Sequence, residues 1–346
     1  MRVLLTGHRG YIGTVLAGVL HHARHEVVGL DCDLFSGCDF GRVRDGLPSF
    51  EMDLREVEFV DLLSFEAVVH LAALPEDPEG TLDEAATWEV NRDATIRLAE
   101  CCKKAGVGRF LFASTCAVYG AGRGEPQAED SPTEPLTPYA RAKLECEQAL
   151  RELADASFVP VILRNGTVYG VSPRLRLDTV VNDFVGSAVS RGRVEVQTDG
   201  RAWRPFIHVE DVARAYTAVL TAGDEAVGGE TFNVAATEEN HRMIDVADLV
   251  TDLVPDCTKS VRTGVPDRRS YSVNGSKLRR RLPNFSWRWS LPQGVRQLRA
   301  AMIGAGLTAG DWRSDKYRRV MRLAGRQERG ELDEHLRLGH GAELRA

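Results

Sequence analysis

TGHRGYIG, at positions Thr6 to Gly13, separates a short apolar run, Val3-Leu4-Leu5, from a segment with helical spacing over residues 12–22. Glycines at this place permit a tight turn, bring backbone N–H groups close to a phosphate and let a helix pack on a strand. The amino end of the helix also favours negative charge. The stretch predicts a strand, a phosphate-binding turn and a helix, although three glycines alone also fit an ordinary strand–helix turn.

Apolar runs and helical stretches then alternate along the first half of the chain. The predicted strands are residues 27–30, 67–73, 109–113 and 159–163, and the predicted helices are 83–105, 138–154 and 179–191. Strands that alternate with helices of this length are typical of a parallel sheet covered by helices on both faces. The expected fold class is therefore α/β, a Rossmann-type doubly wound parallel sheet. Past Gly170 the pattern is less regular, and from about Val295 it is helical and rich in charge.

The composition excludes several classes of protein. The 346 residues are 43% apolar and carry a net charge of −6, which argues against a general nucleic-acid or anionic-membrane binder. No apolar run reaches the roughly 18 residues of a membrane span. Seven cysteines without a CxxC pair argue against a disulfide scaffold or a zinc ribbon, and no metal site is expected. The first residues lack a signal-peptide pattern, so we expect a cytoplasmic protein.

An acidic residue follows the second predicted strand, where a dinucleotide-binding fold places one. Asp31 could accept hydrogen bonds from both ribose hydroxyls of adenosine and would repel a 2′-phosphate, which favours NAD over NADP. Arg9 in the glycine turn could contact such a phosphate and keeps NADP open. Asp53, followed by Leu54, could bind the adenine amino group, but it fits a surface acid equally well.

Two further motifs indicate catalysis by a tyrosine. In Tyr139-Ala-Arg-Ala-Lys143 the tyrosine and lysine are four residues apart, on one face of a predicted helix. A free tyrosine has a pKa of about 10, and a nearby lysine cation with a positive nicotinamide ring would favour the phenolate. Ser114-Thr115-Cys116-Ala117-Val118-Tyr119-Gly120 follows an apolar strand and offers the Thr115 hydroxyl to a reacting alcohol or carbonyl.

In this order the motifs resemble those of the extended short-chain dehydrogenases/reductases, in the nucleotide-sugar epimerase/dehydratase group. The matching motifs are TGHRGYIG, His70-Leu-Ala-Ala73, Asn91, STCAVYG, YARAK, LRNGTVYG (163–170), WRPFIHVEDVA (203–213), FNVA (232–235) and PDRRSY (266–271). The resemblance implies an NAD-binding domain over residues 1–168, completed by about 206–240. It also implies a smaller nucleotide-sugar-binding α/β lobe over residues 169–205 and 241–300, followed by a helical C-terminal tail over residues 301–346.

The resemblance also implies roles for individual residues. Expected around the cofactor are Gly7, Gly10, Tyr11, Ile12, Gly13, Asp31, Asp53, Leu54, Leu71, Ala72, Ala73, Asn91, Tyr139 and Lys143. Expected in catalysis are Thr115, Tyr139 and Lys143, with Cys116 as a further candidate. Expected at the nucleotide-diphosphate sugar are Thr115, Thr167, Asn182, Arg204, Asp267, Arg268 and Arg269. A homodimer formed through helices at residues 94–103 and 143–153 is implied as well.

The two residues after Thr115 distinguish dehydration from epimerisation among proteins that resemble this chain. Hexose 4,6-dehydratases that resemble this chain carry Asp-Glu at the next two positions, where this chain has Cys116-Ala117. Dehydration is therefore disfavoured, and the expected reaction is epimerisation at C4 of the sugar through a 4-keto intermediate, with Tyr139 as the base. General acid–base transfer of this kind contributes about 10²- to 10⁴-fold.

Other interpretations stay open at this point. The Cys116 thiol could carry a proton for epimerisation at C3 or C5, or it could be a small buried apolar residue. The scaffold also suits a 4-ketosugar reductase or sugar dehydrogenase using NAD(P), or a dinucleotide-binding protein without catalysis. Thr167 and Pro205 stand where many relatives have Asn and Asp, so the sugar does not follow from the resemblance. The tail could be a lid, a dimer arm or an exposed amphipathic helix.

Overall fold

The computed structural model describes residues 1–41, 46–77 and 79–339. The strands are β1 (Arg2–Thr6), β2 (Glu26–Asp31), β3 (Ser49–Glu51), β4 (Ala67–His70), β5 (Arg109–Thr115), β6 (Val159–Asn165), β7 (Thr167–Tyr169), β8 (Arg193–Val196), β9 (Trp203–His208), β10 (Thr231–Val234), β11 (Asn240–Arg242) and β12 (Thr258–Val261). The helices are α1 (Gly13–His22), α2 (Glu84–Trp88), α3 (Ala94–Ala105), α4 (Pro138–Leu153), α5 (Val180–Arg191), α6 (Val209–Thr221), α7 (Asp224–Val227), α8 (Met243–Leu253), α9 (Ser276–Arg281), α10 (Leu291–Gly304), α11 (Ala309–Arg313) and α12 (Arg319–Glu328).

Seven strands form one parallel sheet in the order β10-β6-β5-β4-β1-β2-β3. Its central strands are fully buried because helices cover both faces, which explains their uninterrupted apolar sequences. Strand order reverses between β1 and β4. At such a switch point the loops diverge and leave a crevice at the carboxyl edge of the sheet. The predicted Rossmann-type fold is confirmed.

A smaller lobe packs beside this sheet. A three-stranded sheet in the order β11-β9-β7 and a parallel pair of β8 with β12 support it. Helices α5, α8 and α10 enclose its apolar core, which includes Leu177, Phe184, Phe206, Val250 and Leu298. The chain enters this lobe after β6 and returns to the large sheet with β10. Part of the lobe, from β7 to β9, therefore lies between β6 and β10 in the sequence, and β10 is the last strand of the large sheet along the chain.

Two predicted helices differ in detail. The helix expected over 83–105 contains a π-helical turn, Glu89–Asp93, between α2 and α3. The expectation of a helical tail is wrong beyond Glu328: α12 ends there, Gly330 adopts a φ of 70°, and a non-helical turn follows. That turn is closed by an antiparallel bridge between Leu332 and Leu338. Residues 340–346 of the predicted tail lie outside the described residues.

Within the described residues, none of the helices combines the length and the apolarity needed to cross a membrane.

Candidate active site

The glycine turn between β1 and α1 is packed too tightly for any side chain. A Cβ added to Gly7, whose φ is +72°, would lie 2.7 Å from the Ala72 nitrogen. A Cβ added to Gly13 would lie 2.1 Å from the Gly7 carbonyl oxygen, and one added to Gly10 would lie 3.0 Å from the same atom. The predicted turn residues and Ala72 are therefore brought together, in a backbone cradle that suits a pyrophosphate.

Buried polar groups hold the loop after β4 against this turn. The Thr6 hydroxyl lies 2.7 Å from Nδ1 of His70, whose Nε2 lies 2.9 Å from the Thr95 hydroxyl. The Ala72 N–H donates to the same Thr6 oxygen at 3.3 Å. Burial lowers the pKa of His70 well below its ordinary range, so the ring is neutral and links the two hydroxyls. Leu71, Ala72 and Ala73 are fixed beside the glycine turn as a result.

Asn91 lies behind this loop. Its side-chain oxygen accepts from the Leu74 N–H at 2.7 Å, and its amide donates to the Leu74 carbonyl at 3.1 Å. Asn91 is completely buried within the π-helical turn, a feature frequent at functional sites. Both of its polar groups are bonded to the backbone. The structure therefore gives Asn91 the role of shaping the predicted cofactor loop from behind.

The carboxylate of Asp31 lies at the carboxyl end of β2. It accepts hydrogen bonds from the backbone N–H groups of Arg9 at 3.0 Å and Asp33 at 2.9 Å. The Arg9 guanidinium is paired with Asp33 at 3.4 Å and with Glu51 at 3.5 Å. Three carboxylates around this position fit a ribose diol and oppose a 2′-phosphate. The residues therefore fit NAD. The Arg9 guanidinium, which could have contacted the 2′-phosphate of NADP, is already paired with carboxylates.

The Asp53 carboxylate, predicted to bind the adenine amino group, is already bound by a neighbouring arginine. Its two oxygens bind the Arg55 side chain, the shortest contact being 2.6 Å, and the pKa of Asp53 is lowered because these contacts outweigh the effect of burial. Arg55 in turn donates to the carbonyl of His335 at 2.8 Å. Leu54 is buried beside them in the sheet core. Asp53 thus forms part of a fixed ion pair, and its predicted contact with adenine stays a prediction.

Thr115, Tyr139 and Lys143 lie where β5 and α4 meet. Thr115 ends β5, and its hydroxyl oxygen accepts from the Ala117 N–H at 3.1 Å, which leaves its proton available to a ligand. Tyr139 is half-buried in the first turn of α4. The Lys143 side chain is only 1% exposed, with its ammonium 4.8 Å from the Phe112 ring centre and 5.9 Å from that of Tyr139.

Burial dominates the electrostatics of this pair. It raises the pKa of Tyr139 to about 12, with the Glu76 carboxylate adding to the effect and the Arg176 guanidinium opposing it. Burial also lowers the pKa of Lys143 to about 8. Lys143 by itself is not enough to favour the phenolate, because burial suppresses the charged forms of both groups. A phenolate here needs the further positive charge that the oxidised nicotinamide ring carries.

Two charged residues near Tyr139 were missed as site residues. Glu76, in the loop after β4, accepts from the Thr137 hydroxyl at 3.1 Å and pairs with Arg269 at 3.5 Å. Arg176 pairs with Asp178 at 2.8 Å. A lone acid in a loop gives no sequence signal. The segment from Ser172 to Asp183 contains two arginines, which fits a phosphate clamp and a solvated helix start equally well, and its spacing does not show that Arg176 lies close enough to affect Tyr139.

Of the residues expected at the nucleotide-diphosphate sugar, the structure brings together Arg204, Asp267 and Arg269. Arg204 binds Asp267 at 2.8 Å and lies over the Tyr271 ring. Arg269 binds the same carboxylate at 3.2 Å. Arg268 is exposed. Arg204 and Arg269 therefore form a cationic pair bridged by Asp267, and Glu76 connects this pair with the tyrosine.

Asn182 and Tyr11 meet, although one was predicted at the sugar and the other at the cofactor. The Asn182 amide donates to the Tyr11 hydroxyl at 3.1 Å, and its oxygen accepts from the Gly170 N–H at 3.0 Å. Tyr11 donates to the Gly170 carbonyl at 2.7 Å. This buried network joins the glycine turn to the smaller lobe. Thr167 is half-buried in β7, paired in register with Phe206 of β9.

Cys116 does not face the site. Its thiol is fully buried and donates to the Arg164 carbonyl at 3.2 Å, and burial raises the pKa of the thiol far above its ordinary range. Tyr119, Val118 and Val273 pack around it. A thiol that is buried, protonated and already bonded cannot exchange protons with a sugar. The structure therefore argues against Cys116 as a catalytic residue, and against the C3/C5 route that depended on it.

Known proteins resemble this chain in both sequence and structure. The UDP-glucose 4-epimerase of Mycolicibacterium smegmatis is 33% identical, over 70% of this chain and 82% of that protein. The structure of MoeE5 in complex with UDP-glucuronic acid and NAD matches with a TM-score of 0.77 at 30% identity, over 88% of this chain and 100% of the other. The UDP-glucose 4-epimerase of Thermus thermophilus, in complex with NAD, matches with a TM-score of 0.74 at 27% identity, over 88% and 100%.

A model of the NAD dependent epimerase/dehydratase family matches residues 3–235, more than half of the chain. The match spans the glycine turn, Asp31, the tyrosine–lysine pair and the seventh strand of the sheet. It confirms the predicted resemblance to extended short-chain dehydrogenases/reductases, and it confirms NAD as the cofactor expected from the carboxylates at the end of β2. The chain belongs to the NAD dependent epimerase/dehydratase family.

Proposed function

We propose that the protein is a nucleotide-sugar epimerase that inverts C4 of a hexose through a 4-keto intermediate. The observation that carries the proposal is the placement of Thr115 at the end of β5 and of Tyr139 and Lys143 on α4, which packs against β5, while Cys116 is turned into the core. These groups provide one proton site and one hydroxyl donor, which is what oxidation and reduction of a single carbinol require. The UDP-glucose 4-epimerases among the relatives support this choice.

Each residue has a distinct task in this reaction. Tyr139 takes the proton of the sugar 4-hydroxyl, and Thr115 donates a hydrogen bond to the same oxygen from the other side. Bound NAD would supply the hydride acceptor at C4 and return hydride to the opposite face after the sugar turns. Because burial holds the pKa of Tyr139 near 12, its deprotonation depends on nearby cations, of which Arg176 is one. Lys143 keeps the cofactor end of the site positive when it is protonated.

The substrate class is a nucleoside diphosphate hexose. Arg204 and Arg269 present two guanidinium groups, and such groups match phosphate oxygens in bidentate geometry. In the free protein Asp267 lies between them as an internal anion. A bound diphosphate replaces Asp267 in neutralising part of the charge of these two guanidinium groups. The sugar then extends from Arg269 past Glu76 to Tyr139.

The test is a panel of UDP-, dTDP-, GDP- and CDP-hexoses incubated with the protein in deuterated water and followed by NMR. We expect one sugar to equilibrate with its C4 epimer without incorporation of deuterium, because the hydride returns from the cofactor. In Tyr139→Phe, bound NAD should be retained while turnover falls at least about 100-fold, the loss expected for a general base. Inversion at C4 with near-normal rate in Tyr139→Phe would contradict the proposal.

One observation favours a second candidate. Glu76 places a carboxylate near Tyr139 that the sequence analysis did not foresee, although the positions after Thr115 lack the acidic pair of dehydratases. A carboxylate beside a bound 4-ketosugar could remove a proton from the carbon next to the ketone, which leads to dehydration or to C3/C5 epimerisation. Solvent deuterium at C3 or C5 of the product, abolished by Glu76→Gln, would establish this candidate instead.

Net redox chemistry, homodimer formation through α3 and α4, and a cytoplasmic location stay predictions. A ketosugar reductase or sugar dehydrogenase would change the NADH absorbance at 340 nm in proportion to substrate. An epimerase leaves that absorbance constant after the first turnover.

A further inference from the structure

The C-terminal residues 319–339, which we call the C-terminal strap, are α12 and the turn that follows it. Leu323, Leu332 and Leu336 are at most 4% exposed and pack with Leu74 and Ala86 of the large domain. The family match ends at residue 235, so the strap lies outside the region that defines the family. It is nevertheless packed into the large domain and is not a free tail.

One side of the strap holds the loop that follows β2. The Arg326 guanidinium donates to the Leu34 carbonyl at 2.9 Å, and Arg322 donates to the Ser36 carbonyl at 2.7 Å. The Arg319 guanidinium lies 4.8 Å from the Phe35 ring centre. This loop begins directly after Asp31, the residue whose carboxylate fits the adenosine ribose.

The other side of the strap holds the elements that follow β3 and β4. The backbone carbonyl of His335 accepts a hydrogen bond from the Arg55 side chain at 2.8 Å. The Nδ1 atom of the His335 ring lies 2.9 Å from the carboxylate of Glu89, at the start of the π-helical turn. Arg55 is the partner of Asp53. Leu74, against which the leucines pack, is the residue that Asn91 holds in place.

The loops after β2, β3 and β4 all leave the carboxyl edge of the sheet, next to the switch point where a dinucleotide lies in this fold. The strap therefore joins the two sides of the crevice at the end marked by Asp31 and Asp53, where the adenosine half belongs. Its guanidinium groups bind backbone carbonyls of the loop after β2, so they fix the position of that loop without occupying the Asp31 carboxylate, which fits the ribose.

We propose that the C-terminal strap is part of the cofactor site, where it closes over the adenosine half of the dinucleotide and slows its release. The inference rests on NAD as the cofactor and not on the proposed sugar or the carbon that reacts. A cofactor held in this way stays bound from one turnover to the next. Such retention suits a reaction in which hydride is taken from the sugar and returned to it.

The test measures release of NADH from the full-length protein, without any sugar. NADH fluorescence is followed by stopped flow after mixing the loaded protein with excess NAD. In the double variant Leu332→Ala with Leu336→Ala, the strap loses its apolar anchor, and we expect release at least about 10-fold faster than from the wild type. Leu338→Ala is the matched control in the same turn, because Leu338 is 38% exposed and should leave the rate unchanged.

Arg326→Gln provides a second variant that leaves the leucines in place. Loss of its hydrogen bonds to the Leu34 and Asp33 carbonyls should speed release by a smaller factor, and this variant carries the test if the double variant does not fold. A strap that only stabilises the fold would lower the melting temperature of these variants and leave the release rate as in the wild type. That result would overturn the proposal, whereas failure to epimerise any sugar would not affect it.

Discussion

Replacement by alanine at two glycines of α1 should have different effects: it should weaken NAD binding at one position and stabilise the fold at the other. Gly13 begins the helix at the glycine turn, and an added Cβ would lie 2.1 Å from the Gly7 oxygen and 2.7 Å from the His8 Cα. Gly18 lies in the middle of the same helix, where an added Cβ meets nothing within 4 Å. Gly13→Ala therefore forces backbone to move at the cofactor turn, while Gly18→Ala only adds a helix-favouring residue.

The sizes of the two effects follow from these contacts. Forcing a methyl group into well-packed structure costs about 1–3 kcal/mol, and at Gly13 the neighbours are backbone atoms that cannot rotate away. Since about 1.4 kcal/mol is a factor of ten in affinity, a turn that carries this strain binds NAD roughly 5- to 150-fold more weakly. Gly18→Ala should instead raise the free energy of unfolding by about 0.5–1 kcal/mol, because alanine loses less backbone entropy in a helix interior.

Isothermal titration with NAD and urea unfolding monitored by circular dichroism measure both quantities on each variant. We expect weakened binding for Gly13→Ala, with no loss of binding for Gly18→Ala. Wild-type affinity in Gly13→Ala would show that the turn can relax without affecting the cofactor. The reasoning from close approach of the backbone would then be refuted.

Other residues of the site give further predictions. Lys143→Met should abolish turnover yet raise the free energy of unfolding at pH 7. Burial lowers the pKa of the Lys143 amine from 10.5 to about 8, and at 1.36 kcal/mol per pKa unit the buried charge costs about 3 kcal/mol of stability. This gain should shrink as the pH rises from 8 towards 10.5, because the wild type gains stability over that window; thermal melts at pH 7 and 9.5 check it. Glu76→Gln removes a negative charge that raises the pKa of Tyr139, so the acidic limb of the pH–rate profile should move to lower pH. An unmoved limb would disprove this electrostatic effect. Cys116→Ala should keep turnover within about twofold and destabilise the fold by about 1 kcal/mol, and a large loss of rate with intact stability would return the thiol to the mechanism.

The sequence predicted the interior of the large sheet well, and for a physical reason. Strands such as β4 are buried on both faces, so they are uninterrupted apolar runs that stand out from their surroundings. The three-residue edge strand β3 is exposed throughout and carries no such pattern, so it was missed. In the tail, the alternating charges suggested one long helix, but burial of Leu332 and Leu336 required a turn after Gly330.

The site was predictable where the chemistry is local in sequence. The glycine turn and the tyrosine–lysine pair need fixed spacings, so they can be read directly. Glu76 reaches Arg269 and Thr137 only through the folded structure, and no spacing could place it there. The protonation of Tyr139 could not be predicted from the sequence either, because burial, which depends on every neighbour in the fold, is the largest cause of its raised pKa.

The late position of β10 in the chain has a consequence for synthesis on the ribosome. β10 pairs with β6, and α6, which precedes it, packs in the same core as α1. At roughly 5–20 residues per second, several seconds pass between the emergence of β6 and that of its partner. Throughout that interval the nascent chain presents an apolar strand with open hydrogen-bonding groups, which is a template for pairing between chains. We therefore expect the β10-facing edge of β6 to be a site where nascent chains of this protein can pair with each other until β10 is made.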